Sequence, residues 1–176
     1  MMNDKIRVLL SEEEVAKRIK EMGDVISSDY EGRPLHLICI LKGGVFFTCE
    51  LAKRISLPLT LDFMSVSSYG AGTVSSGIVK IVKDLDEPIE GKDVLIVEDI
   101  IDSGNTLSYL IEVLKQRNPR SIELCTLLDK PERRVKKQVT VKYTCFTVPD
   151  QFIVGYGLDY DQKYRNLPYI GVIEQQ

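Results

Sequence analysis

The 176-residue chain is poor in the residues from which many active sites are assembled: it has one histidine, His36, and four cysteines with no C-x-x-C pair. His36 opens the apolar run LHLICIL, where a structural role outweighs a catalytic one. That argues against a Ser-His-Asp hydrolase and against a two-histidine zinc enzyme. Cys39, Cys49, Cys125 and Cys145 are widely spaced, and three of them sit in apolar runs. They read as buried reduced thiols rather than as a zinc site or disulfides. No stretch approaches the roughly 18 apolar residues that a membrane span requires. The opening MMNDKIRVLL is too short in apolar residues, and lacks the cleavage pattern, for an export signal. The chain therefore reads as cytoplasmic, with no membrane partner. A net charge of −3 lacks the basic face that displaces counterions from nucleic acid, so no nucleic-acid partner is expected. An anionic substrate must then be held locally, by a few cations, backbone N–H groups or a metal ion.

What remains is an ordinary soluble composition, 44% hydrophobic and 28% charged, of a length suited to one domain with a real core. No repeat, low-complexity tract or linker divides it, so residues 1–176 are expected to form a single domain. Ser11 and Glu14 have the spacing of a capping box, and Val15, Ile19, Met22 and Ile26 recur at helical intervals behind them. Leu35–Leu41 reads as a buried strand that ends at Lys42-Gly43-Gly44, followed by a helix over residues 45–54. A strand is expected over residues 59–66. The glycine-rich stretch 67–77 (SSYGAGTVSSG) nearly matches G-x-G-x-x-G. Its sixth position is serine, however, and GIVKIVKD after it alternates like a strand where a dinucleotide fold needs a helix. It is better placed as a loop within a β-hairpin. Residues 94–97 form a short apolar strand, and Leu107, Leu110, Ile111 and Leu114 mark a helix that stops near Asn118-Pro119. Residues 122–128 make a further buried strand, with shorter ones at 143–148, 151–154 and 169–173. Apolar strands alternating with helices predict an α/β fold, a mostly parallel twisted sheet flanked by helices.

The chemistry concentrates in VLIVEDIIDSGNTL. Glu98 and Asp99 are adjacent acids at the end of an apolar strand, where their repulsion is unfavourable unless hydroxyl donors or a cation compensate it. A sugar diol and Mg²⁺ would supply both, since Mg²⁺ takes a few carboxylates together with substrate oxygens. Residues 102–106 then turn into a helix. Their backbone N–H groups, with the Ser103 and Thr106 hydroxyls, suit a phosphate monoester, and Gly104 allows a close approach. The bland alternative is a helix cap beside two surface acids, with Asp102 capping at Asn105. No G-x-x-x-x-G-K-[ST] is present, which sets aside the P-loop nucleotide site.

This segment resembles the phosphoribosyl diphosphate motif of type I phosphoribosyltransferases, and its Glu-Asp-Ile-Ile-Asp form is similar to that of the hypoxanthine-guanine phosphoribosyltransferases. LKGG (residues 41–44), SSYG (residues 67–70), DKPERR and PDQFIVGYGLDYDQKYRNLPYIG resemble, in order, the diphosphate loop, the catalytic loop, and the base-recognition and closing segments. The resemblance covers nearly the whole chain. It implies a small hood contributed by the N-terminal and C-terminal segments, a flexible loop carrying Ser68 and Tyr69, and a homodimer or homotetramer. It also implies roles. Asp102, Ser103, Gly104, Asn105 and Thr106 would hold the 5-phosphate, and Glu98 and Asp99 the ribose hydroxyls. Lys42, Gly43 and Arg165 would face the diphosphate, with the Lys42 peptide often cis in the family. Mg²⁺ would be held at Glu98, Asp99 and Asp159. Asp102 is the implied general base. Lys130, Phe152, Ile153 and Asp159 would serve the base: Lys130 donating to a 6-oxo oxygen, Phe152 stacking, Ile153 offering main-chain groups. Taken alone, Phe152 would read as a core aromatic, and Lys130 and Arg165 as solvated surface residues.

Two positions depart from the family pattern: Gln151 stands where several relatives carry lysine, and Pro131 where a basic residue is common. The function implied is transfer of 5-phosphoribosyl to hypoxanthine or guanine. Two other readings stay open. One is a regulator that keeps the phosphoribosyl diphosphate site, for which KPERRVKK (residues 130–137) is the one local basic cluster. The other is a pyrimidine phosphoribosyltransferase.

Overall fold

The computed structural model of the chain describes residues 5–68, 79–136 and 138–174. Helix α1, Glu12–Asp29, begins on the capping box that its sequence announces. Ser11 Oγ accepts from Glu14 N at 3.2 Å, and Glu14 Oε2 accepts from Ser11 N at 2.7 Å. Val15, Ile19, Met22 and Ile26 form its buried face. Strand β2 spans Leu35–Leu41, as its run of apolar residues predicts. Helix α2, Val45–Ala52, is shorter than residues 45–54. Its last turn tightens, with Arg54 N donating to Leu51 O at 2.9 Å, which closes the ladder before Pro58.

Strand β3 is Leu59–Ser68 and β4 is Val79–Lys83. β5, Asp93–Ile101, runs well past the apolar stretch 94–97. Its extension through Glu98, Asp99 and Ile100 is a correction to the sequence reading, which ended the strand before the acids. Main-chain pairing with β6, Ser121–Asp129, continues to Asp129 irrespective of side-chain polarity. Helix α3, Asn105–Lys115, lies between them. β7 (Tyr143–Thr147), β8 (Ile153–Val154) and β9 (Ile170–Glu174) complete the chain, and Lys5–Leu10 forms β1. β1 pairs with β9. Its weak alternation carries no clear strand signal, because that pairing is supplied by residues distant in sequence.

The main sheet has the order β4-β3-β2-β5-β6-β7, and all its pairs are parallel except β3–β4. A second sheet joins β1, β9 and β8. Val15, Ile19, Phe47, Leu51, Leu95 and Val97 share a core on one face of the main sheet. Ile38, Ile96, Leu107, Leu110 and Leu114 share another on the opposite face. Alternation along β5 feeds both cores, because successive side chains leave a strand on opposite sides. No helix among the described residues is long and apolar enough to cross a membrane.

β2 and β5 are neighbours, but α2 leaves β2 on one face of the sheet and α3 leaves β5 on the other. Connections that diverge in this way open a crevice at the carboxyl ends of the two strands, the usual ligand site of such sheets. The fold also sets a stability expectation. Ser11→Ala should lower unfolding free energy by about 1 kcal/mol through loss of the cap, read as a shift of the urea midpoint at unchanged slope.

Candidate functional site at the carboxyl ends of the central strands

The acids at the two ends of the main sheet show which carboxylates serve the fold. Near the amino ends of the strands, Asp62 accepts from the amides of Phe63, Asp86 and Glu87 at 2.7, 2.9 and 3.1 Å. Asp93, fully buried, accepts from Ser121 Oγ at 2.7 Å and Arg120 at 3.1 Å. His36 belongs to this end too, bonded through Nδ1 to Thr60 Oγ1 at 2.7 Å. Burial pushes its pKa down, in keeping with a structural role.

At the other end the acids are not satisfied in this way. Glu98 Oε2 and Asp102 Oδ1 are sealed from solvent with no hydrogen-bond partner, the only carboxylate oxygens among the described residues in that state, beside the neutral Tyr30 hydroxyl and His36 Nε2. Burial, and secondarily the Asp99 charge, pushes the Glu98 carboxyl well above its usual range. Burial raises Asp99 from 3.8 to about 6, against the pull of the Ile100 amide and Arg165. A buried acceptor left unmatched costs on the order of 1–3 kcal/mol, more when charged. Such groups mark sites where a ligand completes the bonding.

The strand separates its two acids. Glu98 lines a cleft of about 240 Å³ with Ile40, Val66, Ser103, Asn105 and Thr106. Asp99 lies against the β2–α2 turn, where a Cβ on Gly43 would run into its carboxylate. The Leu41–Lys42 peptide there is cis. The same turn meets residues more than a hundred positions away: a Cβ on Gly157, at φ +102°, would strike Gly43 O. Arg165 donates to Gly157 O at 2.6 Å and pairs with Asp159 at 2.8 Å. Lys42 Nζ donates to Gln162 Oε1 at 3.2 Å, and Gln162 N to Asp159 at 2.8 Å. Lys42, Gly43, Asp99, Asp159 and Arg165 thus form one cluster, and Arg165 is half-buried rather than a free surface residue. Gln162 was not singled out in the sequence; no pattern around it predicts the contact.

Residues 102–106 form a turn whose own geometry differs from a simple cap. Gly104, at φ +79°, occupies the N-cap of α3 without a side-chain bond, and the Asn105 amide donates to Ser103 Oγ at 3.3 Å. Asp102 therefore does not cap the helix. It faces Lys130 and Arg133, each 3.9 Å away. Lys130 is only 5% exposed, donates to Gln151 O at 2.7 Å and lies 3.8 Å from Asp150, which overturns its reading as a solvated lysine. Phe152 is 47% exposed, with its ring edge-on to Tyr160 at 5.2 Å, so it is no core aromatic. Ile153 is buried in β8. Ser68 ends β3, and Tyr69 lies outside the described residues.

Among the described residues no three His, Cys, Asp or Glu side chains converge as a ready-made metal site. This donor chemistry, two or three separated carboxylates around a cleft, fits an ion that completes its shell with substrate oxygens rather than an all-protein cage.

The phosphoribosyl transferase domain profile matches residues 8–161. The chain belongs to the phosphoribosyltransferase family. Within that family, it is 53% identical over 174 residues to the hypoxanthine-guanine phosphoribosyltransferase of Bacillus subtilis, covering 99% of this chain and 96% of that one. A crystal structure of a hypoxanthine phosphoribosyltransferase from Staphylococcus aureus superposes with a TM-score of 0.93 at 49% identity, covering 99% of this chain and 97% of that one. The bifunctional TilS/HprT protein of Listeria monocytogenes is 52% identical over 176 residues, but this phosphoribosyltransferase chain spans 27% of its length.

Burial of Asp99 has a thermodynamic consequence that can be measured without ligand. A folded-state pKa of about 6 against 3.8 means the folded protein holds the proton more tightly, so its stability falls as pH rises through that window. In chelator, Asp99→Asn should match wild type below pH 3.8 and exceed it in stability above about pH 6. A pH-independent difference in melting temperature would contradict this.

Proposed function

We propose that the chain transfers 5-phosphoribosyl from phosphoribosyl diphosphate to hypoxanthine or guanine, giving the nucleoside 5′-monophosphate and diphosphate. The observation that carries this reading is the two unmatched, solvent-shielded carboxylate oxygens, Glu98 Oε2 and Asp102 Oδ1, on residues that line one cleft with the rest of the 102–106 turn. The chain's kinship to hypoxanthine-guanine phosphoribosyltransferases along nearly its full length supports the choice of acceptor.

In this reading the 5-phosphate lies on Asp102, Ser103, Gly104, Asn105 and Thr106, where amides at the start of α3 offer donors and Gly104 leaves room for them. The Glu98 and Asp99 carboxylates accept from the ribose hydroxyls, which relieves the desolvation of both. Lys42, the Gly43 amide and Arg165 receive the diphosphate; a guanidinium fork suits its paired oxygens. Mg²⁺, held through Glu98, Asp99 and Asp159 together with substrate oxygens, would neutralise charge on the leaving diphosphate. On the other side, Lys130 donates to the 6-oxo oxygen. Adenine presents an amino donor at that place and would leave the buried ammonium mismatched. Exposed Phe152 gives a stacking face, and Ile153 supplies main-chain groups at the ring edge.

As the C1′–O bond to diphosphate breaks, its electron pair leaves with the diphosphate, and N9 of the purine forms the new bond to C1′. The proton from N7 passes to the Asp102 carboxylate, which also softens positive charge on the ring. Ser68 and Tyr69 would close over the reacting carbon and keep out water. We place the enzyme in the cytoplasm, as a homodimer or homotetramer.

The test is an assay of the purified protein with phosphoribosyl diphosphate, Mg²⁺ and single bases. Nucleotide should form from hypoxanthine or guanine; formation only from uracil or orotate would sink the purine reading, and no turnover with any base would favour the regulator. Asp102→Asn should lower kcat by about 100-fold or more while phosphoribosyl diphosphate still binds, measured by titration calorimetry.

A further inference from the structure

The segment between β6 and β7 carries Lys130 and, four residues on, the well-bonded side chain of Arg134. The Arg134 side chain is only 13% exposed and divides its donors among three places. Nε donates to the main-chain oxygen of Asp102 at 3.1 Å, and one terminal nitrogen to Val139 O at 3.4 Å. The other terminal nitrogen pairs with the Asp129 carboxylate at the end of β6. Beside it, the Ser103 carbonyl accepts from the amides of both Val135 and Lys136 at 3.0 Å. The Arg134 stem also packs on the turn, with Cδ 3.2 Å from where a Cβ on Gly104 would stand. Residues 134–136 thus grip the Asp102–Ser103–Gly104 backbone from outside.

The Asp102 side chain has no comparable support. Oδ1 has no hydrogen-bond partner, and Lys130 and Arg133 stand at 3.9 Å, beyond hydrogen-bond reach. Apart from these two long ion pairs its direction depends on its main chain, and the side chain that bonds the Asp102 main-chain oxygen is Arg134. A guanidinium suits this task because its planar fork can donate along several directions at once, which an ammonium on a flexible stem does not reproduce. Burying that cation is unfavourable unless its donors are matched, and here the matching carboxylate is Asp129.

We infer that Arg134 is a positioning residue: anchored on Asp129, it holds the Asp102 backbone so that the Asp102 carboxylate is aimed for proton transfer. The inference rests on Asp102 being the proton acceptor. Misplacement of a reacting group by about 1 Å can cost on the order of 100-fold in rate, so the effect should appear in kcat rather than in substrate affinity.

Arg134→Met keeps the apolar stem against Gly104 and removes the donors, while Asp129→Asn removes the anchor charge and leaves Arg134 in place. Each is made in the wild-type and the Asp102→Asn backgrounds. Steady-state kinetics are measured, with calorimetric Kd for phosphoribosyl diphosphate and Mg²⁺. Arg134→Met should lower kcat by about 10- to 100-fold with Kd changed less than about threefold, and Asp129→Asn should lower kcat less, in the same sense. On Asp102→Asn, neither should cost more than about a further twofold, because residues acting through one group are not additive. Equal losses in both backgrounds, or wild-type kcat in both single variants, would overturn the inference. Should Arg134→Met not fold, the Asp129→Asn cycle decides by the same criterion. Wild-type turnover by Asp102→Asn alone would instead remove Asp102 as the acceptor, a separate failure.

Discussion

The constraint on which the site depends is the partial removal of Glu98 and Asp99 from water without enough protein donors to replace it. Ionised carboxylates carry an effective burial penalty of several kcal/mol. Elsewhere in this chain the penalty is offset at once: Asp62 takes three amides, and Asp93 a hydroxyl and an arginine. At the end of β5 the offset is missing, and the folded protein raises the proton affinity of both groups. Stability is thereby withheld from the empty protein at neutral pH. A partner that brings hydroxyl donors and positive charge recovers it, so part of the folding cost reappears as binding energy.

The fold makes this possible because β5 is central. β2 pairs with it as far as Val97 and β6 carries the pairing past the acids to Ile101, so their backbone is held on the β6 side and cannot readily yield to relieve the side chains. Alternation then sends the two carboxylates to different neighbours. Glu98 goes to the cleft under the start of α3, and Asp99 to the turn at the start of α2. One strand therefore faces two separately built surroundings, the cleft and the turn. The second is assembled from chain segments far apart, and its closeness requires the absence of side chains at Gly43 and Gly157. Any Cβ at either glycine would displace backbone or carboxylate rather than a flexible side-chain tip.

What the sequence revealed, and what it concealed, follow the range of the interactions. The capping box at Ser11, the period of α1 and the buried run of β2 are local, and they were legible residue by residue. The end of β5 was not, because apolarity stops at Val97 while hydrogen bonding with β6 continues to Ile101. Acid pair, turn and glycine together point to the candidate site, since that combination has little structural purpose. Their supports were silent: Arg134 and Gln162 are ordinary polar residues until the fold brings Asp102 and Lys42 to them. Lys130 taken alone reads as a solvated lysine for the same reason, as nothing local shows that β6 ends in a buried corner.

The two departures from the family pattern become intelligible at that corner. Lys130 is held by the main-chain oxygen of Gln151, so the bond makes no use of the side chain there, which is exposed. Exchanging lysine for glutamine at that position leaves the Lys130 anchor intact and removes one positive charge from the rim. Pro131 opens a short 3-10 turn, Pro131–Arg133, a position where its fixed φ costs nothing and its missing N–H is not needed. That turn delivers Arg133 to 3.5 Å from Asp150 and 3.9 Å from Asp102, and sets Arg134 beneath the Asp102 carbonyl. Proline in place of a basic residue thus trades a mobile charge for a fixed path of the backbone. The two changes act differently: one tunes the field at the rim, where exposed charges count for little, while the other shapes the segment that joins Lys130 to the 102–106 turn.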